Sequence, residues 1–201
     1  RPLGSRSPHV VAVRFAEQPE DNESVAWIRH EYEVLKSMDD ERIPTAYGYY
    51  SGQAAIAMTF VKGISLAEAI RAWQEGLIVI DAPIAIDIVL EVANVLRIAH
   101  NSKGPSGYVV HGQLSPSKIM LTARGQLLVL GFGTELKPTE ACYTPPEQVQ
   151  GAFIDERSDQ WTLGAILVEL LLGQRLYDRT RRTTEFAGVG RVEPWVSKIE
   201  E

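Results

Sequence analysis

The chain has 201 residues, 45% hydrophobic and 23% charged, with a mean hydropathy of −0.09. That composition buries a substantial core and excludes disordered or fibrous protein. Twenty Lys and Arg against 26 Asp and Glu leave a net charge of −6 and a pI near 5.3, so nothing in the bulk charge favours nucleic acid or an anionic membrane as a partner. The single cysteine, Cys142, rules out an intramolecular disulfide and a thiolate metal cluster and suits a reducing compartment. No apolar run reaches the roughly 18 residues of a membrane span; the longest, Leu163 to Leu172, is interrupted by Glu169 and reads as a buried helix. The length allows one domain or two small lobes.

Arg1-Pro2-Leu3-Gly4-Ser5 resembles a protease-cleavage scar, and residues 1–8 are set aside as linker. Val10 to Phe15 alternates as a strand, with Val11, Val13 and Phe15 on one face and Arg14 among apolar neighbours on the other. After the turn-rich Pro19 to Ser24, the helical spacing of Val25, Ile28, Tyr32 and Leu35 predicts a helix capped by Asn22 or Ser24. Glu31 falls on that apolar stripe and needs a cationic partner, for which Arg14 is the candidate. Tyr47–Tyr50 and Ala54–Val61 form a hairpin through Ser51-Gly52-Gln53. From Lys62-Gly63 the character turns helical, which places a lobe boundary at residues 61–63. Helices are expected over Ser65–Trp73, about Pro83–His100 and Ser158–Leu172, the last apolar on nearly all sides. Asn101–Gly107 reads as a loop, and Lys118–Thr122 with Leu127–Leu130 as a second hairpin. Arg175, Arg179, Arg181 and Arg182 read as a solvated loop rather than an anion site.

In this order, Val11-Ala12-Val13-Arg14, Glu31 on a helix, His111 to Lys118 (HGQLSPSK), Gly131-Phe132-Gly133, Pro145-Pro146-Glu147 and Asp159 to Gly164 (DQWTLG) resemble the signature set of eukaryotic-type protein kinases, V-A-I-K, helix Glu, H-R-D-L-x-x-x-N, D-F-G and A-P-E. Leu163–Leu170 followed by Gly173 is most similar to bacterial serine/threonine kinases. The resemblance implies an α+β, two-lobed protein-kinase-like fold: a truncated small antiparallel-sheet lobe over residues 9–61 and a mainly helical large lobe over 62–201, incomplete at its end. The first strand corresponds to the one that follows the phosphate-covering loop in the family, and no G-x-G-x-x-G occurs in the chain.

The resemblance also marks departures. The position of the catalytic Asp is Gln113, whose amide accepts no proton, and general-base help is worth roughly 10²–10⁴ in rate. The magnesium-binding Asn and Asp positions are Lys118 and Gly131, and magnesium takes hard oxygen ligands. Ser115 stands where a phosphate-contacting Lys is usual, and Gly112 where an Arg receives an activation-loop phosphate, so Thr134, Thr139, Tyr143 and Thr144 have no such receptor. His111, Phe132, Glu147 and Asp159 occupy positions the family uses for packing and for bonding the catalytic-loop backbone. Arg14 and Glu31 read as a structural tie between strand and helix. His100 reads as a satisfied core histidine.

Together these imply a pseudokinase: a catalytically inactive binding or regulatory signalling module with no catalytic residues, no resident metal and no expected cofactor. The rival is a nucleotide-binding domain with atypical or weak phosphotransferase activity, for which Arg14, Glu31, Met58 and Lys118 are the nucleotide-contacting candidates and metal-independent ATP binding through Lys118 the specific form. The expected partner is a protein, an active kinase or an envelope or signalling protein, with no nucleic acid and no membrane contact by the chain itself. The unpaired sheet edge at Val10–Phe15 or the Glu31 helix is the candidate dimer surface. The expected location is cytoplasmic, alone or as part of a larger membrane protein.

Overall fold

The computed structural model describes residues 11–136 and 141–175. The first lobe is a three-stranded antiparallel sheet, β1 (Val11–Phe15), β2 (Ala46–Tyr50) and β3 (Ala55–Thr59), in the order β1-β3-β2. One helix, α1 (Asn22–Lys36), packs against it. Arg14 lies opposite Ile56 and Ala12 opposite Met58, so these four share the face turned towards α1. The other face carries Val11, Val13 and Phe15, which are 43%, 50% and 55% exposed. Helix α1 buries Ile28, Glu31, Val34 and Leu35. Its N-cap is Asp21, not the expected Asn22 or Ser24: the Asp21 carboxylate accepts from the backbone N–H groups of Glu23 and Ser24. The Ser24 hydroxyl is engaged instead by the N–H of Gln18.

Beyond Thr59 the chain enters a second sheet, β4 (Gly63–Ser65), β7 (Ile119–Thr122) and β8 (Leu127–Val129), in the order β4-β7-β8. Strand β4 has only three residues and no readable alternation. Its Gly63 is required by contact, since a Cβ there would lie 2.2 Å from the Leu121 carbonyl oxygen. Ser65 then caps α2 (Leu66–Gln74) through a capping box with Glu68. Asp81 caps α3 (Ala82–Asn101), with Pro83 in its first turn, where a missing N–H costs nothing. The expected loop after α3 contains a two-residue ribbon, β5 (Lys103–Gly104) with β6 (Gly107–Tyr108). A short α4 (Pro146–Val149) precedes α5 (Glu156–Leu172), capped by Asp155 and ended by Gly173 in the left-handed region. Helix α5 packs along α3, and Leu163, Ile166 and Leu170 join Val92, Val95 and Leu96 in one core that also takes in Ile28, Val34 and Ile56 of the first lobe.

Arg42 ties the two lobes. Its guanidinium donates to both Asp40 oxygens and to Glu91 of α3, and its carbonyl accepts from the N–H of Val129. Arg175 is not in a free solvated loop: its guanidinium lies 3.5 Å from Glu169 and 5.7 Å from the Tyr143 ring centroid. Arg179, Arg181, Arg182 and Thr139 lie outside the described residues. Among the described residues no helix is long and apolar enough to cross a membrane.

Candidate functional site

The segment from His111 to Lys118, in the second lobe, is held by Asp159 in the first turn of α5. The Asp159 carboxylate is 1% exposed. One oxygen accepts from the His111 N–H at 2.9 Å and from His100 Nε2 at 2.8 Å; the other accepts from the Gly112 N–H at 2.8 Å. Three donors converging on one buried carboxylate satisfy it fully and fix the backbone of the segment. The His111 ring donates from Nε2 to the Leu130 carbonyl at 2.9 Å. Its Nδ1 accepts from the Gln113 N–H at 3.3 Å, and the ring lies 4.6 Å, centroid to centroid, from Phe132. Burial pushes the imidazole pKa down, Asp159 opposing. His111 is thus a neutral, fully used strut.

Above the strut, the side chains take unusual partners. Gly112 has φ +67°, and a Cβ there would meet Leu136 at 3.0 Å and Ile154 at 3.3 Å; apolar groups occupy the space next to that backbone. Gln113 is buried, and its Nε2 donates to the Glu135 carbonyl at 2.8 Å, so its amide anchors the segment after Phe132. Ser115 is buried and hydrogen-bonded to Ser117, 2.9 Å between hydroxyls.

Arg14, Glu31, Lys118 and Gly131 come together between β1, α1 and the turn at Gly131. Arg14 Nη1 donates to Glu31 Oε1 at 3.0 Å, with the Arg14 side chain 42% and the Glu31 side chain 5% exposed. Burial pushes the Glu31 pKa up, against the opposing pull of Arg14 and, more weakly, Lys118. Lys118 is half-buried, and its stem runs over Gly131: a Cβ on Gly131 would sit 3.3 Å from Lys118 Cδ and 3.6 Å from Nζ. Burial, then the Arg14 charge, push the Lys118 pKa down, while Glu31 pushes it up. Gly133 closes the turn at φ +73°. A Cβ there would come within 2.7 Å of Val34 Cβ and 3.1 Å of Glu31 Cα, so only glycine lets the turn approach α1. Met58 is half-buried on the Arg14 face of the sheet.

Magnesium would need two or more oxygen ligands here. At the two positions in question the chain offers an ammonium and a glycine, and among the described residues no three His, Cys, Asp or Glu gather into a metal-binding group. These residues do not fit a divalent cation.

Of the expected structural residues, His111, Phe132 and Asp159 meet around the segment. Glu147 does not touch it and instead accepts from the Ser158 hydroxyl. Two features escaped the sequence reading. Glu169 is 2% exposed and accepts from the Tyr143 hydroxyl. Tyr143 is therefore buried with its hydroxyl in use and its pKa raised chiefly by burial. The other is the partner of His100, whose Nε2 donates to Asp159. An acid inside an apolar helix signalled the first, and nothing local signalled the second.

A first lobe built on a small antiparallel sheet with one helix, followed by a mainly helical second lobe, defines a protein-kinase-like fold. The structure superposes on the kinase domain of Mycobacterium tuberculosis PknI with a TM-score of 0.65 and 27% identity, covering 84% of this chain and 65% of that one. A model of the protein kinase domain matches residues 4–195, and the chain belongs to that family. It is 29% identical over 147 residues to the tyrosine-protein kinase MasK of Myxococcus xanthus, covering 66% of this chain and 23% of that protein. It is 28% identical over 193 residues to the probable serine/threonine-protein kinase PknB of Lactococcus lactis, covering 88% and 29%. The chain thus spans less than a third of the length of these two relatives.

Proposed function

We propose that this domain is a catalytically inactive member of the family, a pseudokinase that works as a protein-binding signalling module. One observation carries the reading. The positions that the resemblance assigns to the proton acceptor and the metal ligands are occupied by Gln113, bonded to the Glu135 carbonyl, and by Lys118 lying over Gly131. No carboxylate remains there to receive the hydroxyl proton or to hold magnesium. The partner on this reading is a protein, an active kinase or an envelope or signalling protein, met on the cytoplasmic side of the membrane. The outer edge of β1, which pairs with no strand among the described residues, is the surface proposed for a partner or a second copy.

Transfer of labelled phosphate from ATP to a generic protein substrate, with magnesium and with manganese, tests the reading. The expected result is no incorporation above background, in the chain as it stands and in Gln113→Asp, which restores the carboxylate but not the metal site. The second reading, a weak or atypical phosphotransferase, is favoured by the convergence of Arg14 and Lys118 on one cleft. Incorporation that disappears in Lys118→Ala would establish it in place of the first.

A further inference from the structure

We infer that Gln113 is a latch: its side-chain amide holds the segment 131–136 closed over the backbone at Gly112 and Gln113, through a contact that the aspartate of the family pattern could not make. The closed segment stands where a substrate hydroxyl would have to approach position 113. The latch operates whether or not the domain transfers phosphate.

The donor is the first support. Gln113 Nε2 donates to the Glu135 carbonyl at 2.8 Å, and the residue is 6% exposed. A buried amide nitrogen needs an acceptor. This one takes a main-chain carbonyl, so the contact depends on the path of the segment and not on the side chain at position 135. An ionised aspartate offers acceptors only, and it is one methylene shorter than glutamine. Facing a carbonyl oxygen, it would repel rather than bond. The residue at position 113 therefore lacks a proton acceptor and supplies a donor instead, and the donor is used.

The course of the segment is the second. Phe132 is fully buried against the His111 ring, and Gly133 lies against Val34 and the Glu31 backbone of α1. Thr134 closes the turn, its hydroxyl donating to the Gly131 carbonyl at 2.9 Å. These contacts fix the start of the segment. At its end the Gln113 amide holds Glu135, and the Leu136 side chain comes to rest beside Gly112, whose absent Cβ leaves room for it and for Ile154. The Gly112 N–H is bonded to Asp159 in its turn, so the backbone that the segment covers is itself held in place.

The distribution of these anchors sets the consequence. Phe132 and Gly133 are kept by burial and close backbone approach. Glu135 is half-buried and Leu136 is 47% exposed, so the hold there rests on hydrogen bonding more than on burial. Loss of the amide donor is expected to free the end of the segment and leave its start in place. Opening is then local and uncovers position 113 without unfolding the lobe.

Proteolysis of the native 201-residue chain by a glutamyl endopeptidase tests the latch. Glu135 supplies a cleavage site within the segment, and Glu20, in an exposed turn, an internal reference. Mass spectrometry assigns the fragments. Where reclosing is fast relative to cleavage, the rate follows the population of the open form. In the unsubstituted protein, cleavage after Glu135 is expected to be much slower than cleavage after Glu20. Gln113→Met keeps the length of the side chain without a donor, and Gln113→Asn keeps the amide but stops a methylene short of the carbonyl. Each should speed cleavage after Glu135 by roughly fivefold or more, as expected for loss of a buried hydrogen bond, and leave cleavage after Glu20 unchanged. Far-UV circular dichroism checks that the variants fold, and either one alone suffices if the other does not. Rapid cleavage after Glu135 in the unsubstituted protein, or an unchanged rate there in the folded variants, would overturn the latch. Equal acceleration at both bonds would overturn it as well, since residue 113 would then support the whole chain rather than this one segment.

Discussion

Asp159 and Lys118 lie at opposite ends of the connection through the segment 111–118, and the contrast between them separates architecture from chemistry. Around Asp159 one buried carboxylate meets two backbone N–H groups and an imidazole, and each donor is used. Around Lys118 two cations face one buried carboxylate. A network with every group matched rigidifies the loop it holds. A cluster with a surplus charge is a site that something else must complete, and its own contribution to stability is small or negative. The first region therefore carries the fold, and the second is held together by less than a full set of matched charges.

That contrast is broken most easily at Asp159. Asp159→Ala leaves the buried N–H groups of His111 and Gly112 without an acceptor and frees His100. A loss of about 3 kcal/mol or more is expected, read as a lower urea midpoint at unchanged slope. Asp159→Asn, which keeps one acceptor oxygen, should lose less. A smaller loss for Asp159→Ala than for Arg14→Met would reverse the assignment of the two regions.

Gly133→Ala comes next, because Gly133 joins the cleft to α1. The new Cβ would crowd Val34 and the Glu31 backbone from a left-handed conformation, at a cost of about 1–3 kcal/mol. The same substitution at Gly125, also left-handed but with nothing within 4 Å, separates the two terms: only the conformational part should remain there. Equal losses at both positions would show that the approach to α1 is not what demands glycine.

Legibility in the sequence follows distance along the chain, in both regions, and the reason is physical. Helix periods, hairpin turns and the order of motifs repeat rules that operate within a few residues. Thus α1, α3, α5 and the β2–β3 hairpin were visible, and the Arg14–Glu31 pair followed from a carboxylate on an apolar stripe. Strand β4 was not visible, because three residues cannot show alternation and its place depends on the Leu121 backbone opposite. The choice of Asp21 over Asn22 turns on which side chain reaches two N–H groups, which spacing leaves open. Gln113 and Lys118 could be singled out by position, but their partners could not: the Glu135 carbonyl and the open face of Gly131 exist only once the turn after Phe132 is folded. Arg42 reaches Glu91, 49 residues further along the chain, and a charge beside Asp40 looks in sequence like any surface pair.

The smallest expected effect is the most specific to the cleft. The folded-state pKa of Glu31 lies above its ordinary value of 4.5, chiefly through burial. A raised pKa means that the folded chain holds this proton more tightly than the unfolded one. The contribution is present in full below pH 4.5 and is lost as pH rises through the folded-state value. His111, whose pKa is lowered from 6.5 by burial, works in the opposite direction: its contribution is present above 6.5 and is lost as pH falls through its folded-state value. The two overlap in mildly acid solution, so the net profile of the protein does not isolate either. The difference in unfolding free energy between the protein and Glu31→Gln does, because Gln keeps an acceptor for Arg14 and removes only the titration. That difference should shift against the glutamate as pH rises above 4.5 and level off once Glu31 is ionised. In an Arg14→Met background the levelling should move to higher pH, since Arg14 is the larger of the two charges that restrain the shift. A difference independent of pH between 4 and 8 would mean that Arg14 and Lys118 fully offset the burial of the Glu31 carboxylate.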